Sequence, residues 1–319
     1  MKRTRLWAMV AALLVALAAF AAAGCGGNDE TTGGGSTTAN KTATPNINVP
    51  VDKKVAAEVP QVIKSKGTLT VAEDAEYAPN EFIAPDGHTI IGMDADLAKA
   101  LAQAMGLEVK LQNVVFESII PGLAAKKYDL GMSSFTATKE REKTVDFVTY
   151  AQAGTSFYVR VQGGPDIQSL ADLCGENVSA QRSTTQQSDA EAQDAKCKAQ
   201  GKPGVSLNVF PDQNSVNLAL ASSRVTVAMA DSPVAAYAVD QSKGQFKLSG
   251  SQYSVAKYGI AIPKGSGLAK PVLDALKDVM ADGTYDRIFD YWGLLKTGPS
   301  GCPCSISNPQ INPTNVPAS

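Results

Sequence analysis

Strand patterns alternate with helix patterns along most of this chain, and that alternation limits the fold more than any other feature. Residues 68–72 (TLTVA) read as a short strand after Gly67. Asp94 is placed to cap a helix running to Met105, with Leu97, Leu101 and Met105 on one face and Gly106 to end it. Residues 107–111 alternate like a strand. Residues 117–127 read as a helix with Ile119, Ile120 and Leu123 on its apolar side, and 130–132 as a short buried strand. Then come strands at 157–161 (FYVRV) and 178–180, a polar helix at 184–198, and a strand at 225–229. Pro233 suits the first turn of a helix, 258–262 is strand-like, and 270–280 is helical. Such alternation predicts α/β architecture with mostly parallel sheets. In those sheets ligands sit at the carboxyl ends of strands, beside helix N-termini.

The two ends of the chain do not share the pattern. Lys2, Arg3 and Arg5 precede an unbroken apolar run, 6–23, which closes in Ala22-Ala23-Gly24-Cys25. A cysteine directly after small residues resembles a bacterial lipobox, which implies cleavage before Cys25 and thioether lipidation of its sulfur. A transmembrane anchor is the alternative, and this run is near the lower length limit for one. Residues 1–24 are thus expected to be a lipoprotein signal peptide. The Gly-, Thr- and Asn-rich stretch 25–54 is expected to be a lipid-anchored flexible tether, and 298–319 an irregular tail. The 319-residue chain, 44% hydrophobic, is long and apolar enough to bury a core. Net charge is −2 with no basic run beyond the first few residues, so nucleic acid is not an expected partner. With a single histidine, His88, in a Pro-Asp-Gly-His turn, a multi-histidine metal site is excluded. No metal and no cofactor are expected.

Several stretches inside the body carry a resemblance in combination. They are Tyr77-Ala-Pro-Asn-Glu-Phe82, Gly92-Met-Asp-Ala-Asp-Leu-Ala-Lys-Ala-Leu101, residues 116–129 (FESIIPGLAAKKYD), and Asp282-Gly-Thr-Tyr-Asp286 leading to Trp292-Gly293. Between them lie Met132-Ser-Ser-Phe-Thr-Ala-Thr-Lys-Glu-Arg141 and Val145-Asp-Phe147. Together they resemble bacterial extracellular solute-binding proteins of family 3, the polar-amino-acid receptors of ABC importers. The resemblance covers roughly residues 55–297. It implies a two-lobed periplasmic-binding-protein-like fold (type II) whose lobes are joined by two hinge strands. By analogy lobe 1 is 55–157 and 258–297, and lobe 2 is 158–257, with crossings near 158–161 and 254–257. The implied ligand is a free amino acid, polar or basic, caught between the lobes and passed to ABC permease transmembrane subunits. The chain would be a monomer held at the outer face of the cell membrane.

A free amino acid carries a carboxylate and an ammonium on one carbon, and both must be paired when buried. The planar fork of arginine suits the carboxylate, and the resemblance puts Arg141 at that role, in a helix start after Thr138. It puts Ser133, Ser134 and Thr136 around the same group, through backbone or hydroxyl. Thr184, opening a helix after Gln181-Arg182-Ser183, would offer N–H groups and a hydroxyl from lobe 2, although helix capping alone explains it equally. The family's usual glycine is absent from that turn. Asp231, at a strand end, falls at the ammonium-binding position, with capping of the next helix as its plainer role. Tyr77 and Phe116 match aromatic walls over the ligand side chain, and Phe116 would also serve as a core residue. Asp74 and Glu73 are candidates for a basic or amide tip, with Glu117 and Arg182 nearby, and solvated surface charge is the alternative for all four.

Cys25 is assigned to lipid. In an oxidising extracytoplasmic setting Cys174 and Cys197 are expected to form a disulfide, while the pairing of Cys302 and Cys304 stays open. The expected activity is binding without chemistry. A dehydratase of the same fold, of the cyclohexadienyl or arogenate type, and an extracytoplasmic amino-acid sensor are the alternatives.

Overall fold

The computed structural model describes residues 44–295, 303–313 and 317–318. The expected signal peptide, Cys25, the first part of the tether and Cys302 lie outside the described residues. The rest of the tether expectation needs correcting. Ile47 and Val49 are buried in the core, and Gln103 Oε1 accepts the Val49 N–H at 2.9 Å. Two apolar side chains in an otherwise polar stretch suffice to dock it. Asp52 then caps the first helix with Oδ1.

The described elements run α1 (Lys53–Glu58), α2 (Gln61–Lys66), β1 (Thr68–Glu73), β2 (Glu76–Tyr77), β3 (Glu81–Ile83), β4 (Ile90–Ile91), α3 (Met93–Ala104) and β5 (Glu108–Asn113). They continue with α4 (Phe116–Ala124), β6 (Leu130–Gly131), α5 (Lys139–Glu142), β7 (Val145–Arg160), β8 (Asn177–Gln181), α6 (Thr185–Ala199), β9 (Ser206–Phe210) and α7 (Gln213–Ala221). The last are β10 (Val227–Asp231), α8 (Ser232–Gln241), β11 (Phe246–Pro263), α9 (Ala269–Ala281) and α10 (Thr284–Tyr291). Eight strands form one mixed sheet in the order β5-β1-β6-β11-β7-β10-β8-β9, and β2-β3-β4 form a small second sheet. This is the expected α/β class.

Two long antiparallel strands make the two lobes. β7 and β11 pair from Val145↔Pro263 to Arg160↔Phe246. One half of the ribbon joins β6, β1 and β5, and the other joins β10, β8 and β9. The register between them breaks near Tyr253 and Ala256, where the ribbon passes from one lobe to the other. The first crossing lies earlier than the expected 158–161, because Thr155–Val159 already pair with Asp231–Val227 of lobe 2. Residues 145–156, in which no strand was expected, are strand throughout.

Asp94 does not cap α3. The cap position is Gly92, at φ 132, where a Cβ would lie 2.2 Å from the Asn80 carbonyl oxygen; only glycine lets the chain pass there. Asp94 turns inward instead. The described part of the tail forms no helix and only isolated bridges, but it is not loose. Over 303–313 it lies along the edge of β7 in lobe 1, with bridges Val148↔Ile311 and Ala151↔Ser305, and supplies the partners that an edge strand lacks. Cys304 is buried there. Cys174 and Cys197 form the expected disulfide, with Cα atoms 5.7 Å apart. Among the described residues no helix is long and apolar enough to cross a membrane.

Candidate functional site

A cleft opens where β6, β8 and β10 end, between the lobes. It encloses about 360 Å³ including its mouth, and is lined by Tyr77, Phe116, Ser133, Ser134, Thr136 and Arg141 on one side. Thr184, Thr185, Gln186, Gln213, Ala230, Asp231 and Val234 line the other. Eight of the nine sequence candidates for ligand contact thus meet in one place.

On lobe 1 the Ser133–Ser134 turn is tied down from below. Ser133 Oγ donates to Glu81 Oε1 (2.8 Å) and accepts from Asp74 N (3.0 Å). Ser134 sits at φ 51; its N–H donates to Asp94 Oδ2 (2.9 Å) and its hydroxyl accepts from Asn80 Nδ2 (2.8 Å). Both hydroxyls are spent inside the lobe, so the turn presents backbone to the cleft. Thr138 caps α5 by accepting from Arg141 N (3.2 Å). The Arg141 guanidinium lies beside the stacked pair Phe116 and Phe135, 5.3 and 5.4 Å from their ring centres. It donates to the Thr136 carbonyl (2.8 Å) and, across the cleft, to the Ser183 carbonyl (2.9 Å). Burial pulls it down to about 10, opposed by the charge of Asp231, so it stays cationic at neutral pH.

On lobe 2, Thr184 performs the capping role: its hydroxyl accepts from Gln187 N (3.3 Å) and donates to the Gln181 carbonyl (2.7 Å). The first N–H groups of α6 have no acceptor within the helix and lie at the cleft. Ser183 takes the left-handed conformation, φ 63, that the missing glycine would have favoured. Asp231 ends β10, but its side chain makes no cap hydrogen bond. Oδ1 accepts from Gln186 Nε2 (2.7 Å) and Oδ2 from the Tyr258 hydroxyl (2.6 Å). Burial raises its carboxyl to about 6, against the pull of Tyr258, Gln186 and Arg141. Two opposite charges therefore face one cavity, one from each lobe.

The side-chain end of the cleft is aromatic. Tyr77 meets Phe116 edge-on at 5.8 Å, and Phe116 stacks on Phe135 at 4.6 Å. Asp74 needs correcting. It lies behind the lining, buried with Gln181: Gln181 Nε2 donates to Asp74 Oδ2 (2.8 Å) and its Oε1 accepts from the hydroxyl of the lining residue Tyr77 (2.6 Å). Burial raises Asp74 to about 7. Glu73 is not at the cleft either. It points into lobe 1 beside Asp94 and Asp96, fully buried, with neither oxygen hydrogen-bonded. Glu117 and Arg182 pair at 3.4 Å across the mouth, and His88 is an exposed turn residue.

The sequence reading did not anticipate Gln186, Gln213, Val234 or the support from Tyr258. Gln213 begins α7, a helix not expected although Asp212 caps it with Oδ1 to Ser215 N (2.6 Å). The Asp-x-x-Ser spacing was the available signal. Among the described residues no group of three His, Cys, Asp or Glu could hold a metal ion.

Residues 69–295 match the bacterial extracellular solute-binding proteins, family 3. The arginine-binding protein ArgT of Corynebacterium glutamicum is 32% identical over 242 residues, covering 76% of this chain and 79% of that protein. An ancestral arginine-binding protein, solved bound to glutamine, superposes with a TM-score of 0.66 at 35% identity, over 71% of this chain and 97% of that one. An ancestral amino-acid-binding protein, a precursor of cyclohexadienyl dehydratase, gives 0.65 at 33% identity, over 72% and 97%. The chain belongs to the bacterial extracellular solute-binding proteins, family 3.

Proposed function

We propose that this chain captures a free L-amino acid between its lobes and delivers it to the transmembrane subunits of an ABC importer. The observation that carries this is the pair Arg141 and Asp231, opposite charges on opposite lobes facing one cavity. The ligand carboxylate would take the Arg141 fork and the α6 N–H groups, and the ammonium would take Asp231. Thr136, Thr184 and the Ser133–Ser134 turn complete the cradle. Tyr77 and Phe116 would flank an unbranched side chain whose tip meets the amide of Gln213, with Gln181 and the Asp74 carboxyl behind. That favours a polar or basic ligand, arginine before others, as do the arginine-binding relatives. The chain would act as a monomer at the outer face of the cell membrane. A lipid on Cys25 would hold it there after removal of residues 1–24.

Binding would involve no chemistry. A dehydratase reading draws on one observation, a carboxyl raised to about 7 at Asp74, behind the cleft wall, in the range of a general acid. Calorimetric titration with the common L-amino acids, followed by analysis for products, tests the proposal. The expected result is saturable one-to-one heat with L-arginine, and the amino acid recovered unchanged. Absence of heat from every common L-amino acid would contradict it, and release of water and carbon dioxide from a prephenate-type substrate would establish the enzyme reading.

A further inference from the structure

Asp231 is held from both lobes at once. Its own lobe supplies Gln186, whose Nε2 also donates to Thr155 Oγ1 (2.8 Å). The second oxygen is held by Tyr258, on the lobe 1 side of the hinge strand β11, bridged to Thr136 and paired with Ala151 of β7. Tyr258 is 1% exposed, so its hydroxyl has no water to compete for it. Beside it, at 6.2 Å between ring centres, Tyr150 of β7 donates to Asp94 Oδ2 (2.8 Å), the acceptor of the Ser134 N–H. The two hinge strands thus each place one buried tyrosine under the cleft. One holds an acceptor of lobe 1, and the other reaches across to the carboxylate of lobe 2.

We propose that Tyr258 is the positioning residue of the ammonium site, fixing the Asp231 carboxylate from the opposite lobe. This rests on the reading of Asp231 as the ammonium receptor. A carboxylate has about four lone-pair sites. Tyr258 and Gln186 occupy one on each oxygen and set the plane of the group, leaving the others for a bound ammonium. Without the phenol the carboxylate loses one restraint and one charge-assisted hydrogen bond, and it binds a proton more readily. The ionisable groups that feel its charge are Tyr258 and Tyr253 on β11, Arg141 on α5 and Tyr77 on β2.

The test is a double-mutant cycle on the full chain: Tyr258→Phe, Asp231→Asn and both together, titrated with L-arginine between pH 5 and 8. Tyr258→Phe should weaken binding about tenfold or more at pH 7.5, the scale of a hydrogen bond to a charged group. It should also move the acid loss of binding to higher pH. In the Asp231→Asn background the same substitution should change affinity less than about twofold, because its effect passes through Asp231. Unchanged affinity in Tyr258→Phe overturns the proposal and leaves the amino-acid reading standing. An equal loss in both backgrounds also overturns it, since the effect is then structural. An Asp231→Asn chain that binds like wild type removes the ammonium site itself, and the proposal with it.

Discussion

Ser183 pays for its place in the cleft with a left-handed backbone, φ 63, while its carbonyl accepts from Arg141. Ser183→Gly relieves a conformation costing about 1 kcal/mol and leaves the carbonyl in position. Denaturant unfolding should therefore show a gain of about 0.5–1 kcal/mol with ligand affinity unchanged. Arg141 cannot be spared in the same way, because its fork reaches both lobes beside two stacked rings. Arg141→Ala should cost at least roughly 2–3 kcal/mol of ligand affinity by titration calorimetry, and wild-type binding would remove it from the site. At this scale the sequence was most readable where the site is contiguous, as in Ser133 to Arg141. It misled where the partner is remote. The acceptor of the Ser133 hydroxyl is Glu81, 52 residues away, and nothing in the local pattern says that the hydroxyl turns inward. Asp74 was readable as a pocket-side acid but not as one screened by Gln181, 107 residues away.

Helix α6 joins the residue scale to the lobe. Its first turn faces the cleft, and near its last turn Cys197 is bonded to Cys174, 23 residues earlier. Replacing both cysteines by serine should lower stability by about 3 kcal/mol in the chain-entropy account, read by denaturant unfolding. Arginine affinity should change little, since the bridge lies at the far end from the cleft. Elements with a strong period were legible: α3 buries Leu97 and Leu101 completely, and Met105 follows them into the core as the spacing requires. β9 was not legible, because it is a half-buried edge strand with no clean alternation. α1 and α2, six residues each, are too short to display a period. The strand content of 145–156 was hidden because β7 is buried on nearly every residue and so does not alternate.

The two lobes are closed on each other, joined across the cleft by Tyr77–Gln181, Gln181–Asp74, Arg141–Ser183 and Glu117–Arg182. Charge is distributed unusually. Glu73, Glu81, Asp94 and Asp96 are all buried in lobe 1, where Trp292 Nε1 donates to Asp96 (2.8 Å). Burial raises all four, Asp94 to about 6 and Asp96 to about 7. A carboxyl raised in the folded state keeps a proton that the unfolded chain releases. The stability these groups contribute is full below about pH 4, falls from there as pH rises through 6 to 7, and stays reduced above that. Carboxyls shifted downward, such as Asp86 at about 2, act only below that window. The melting midpoint of the ligand-free chain should rise by roughly 3 °C or more from pH 8 to pH 5, in calorimetric scans. A midpoint that falls over that range would mean these groups are ionised in the fold. The two-lobed plan was legible from the motifs. The hinge position was not, because strand pairing decides it and β7 shows no break in composition. Whether Arg141 and Asp231 hold the two charges of one free amino acid is decided by calorimetric comparison of L-arginine with its methyl ester and its N-acetyl derivative. Arginine should bind saturably, with a large loss for both derivatives, one lacking the carboxylate and the other the ammonium. Equal binding of either derivative would contradict that assignment.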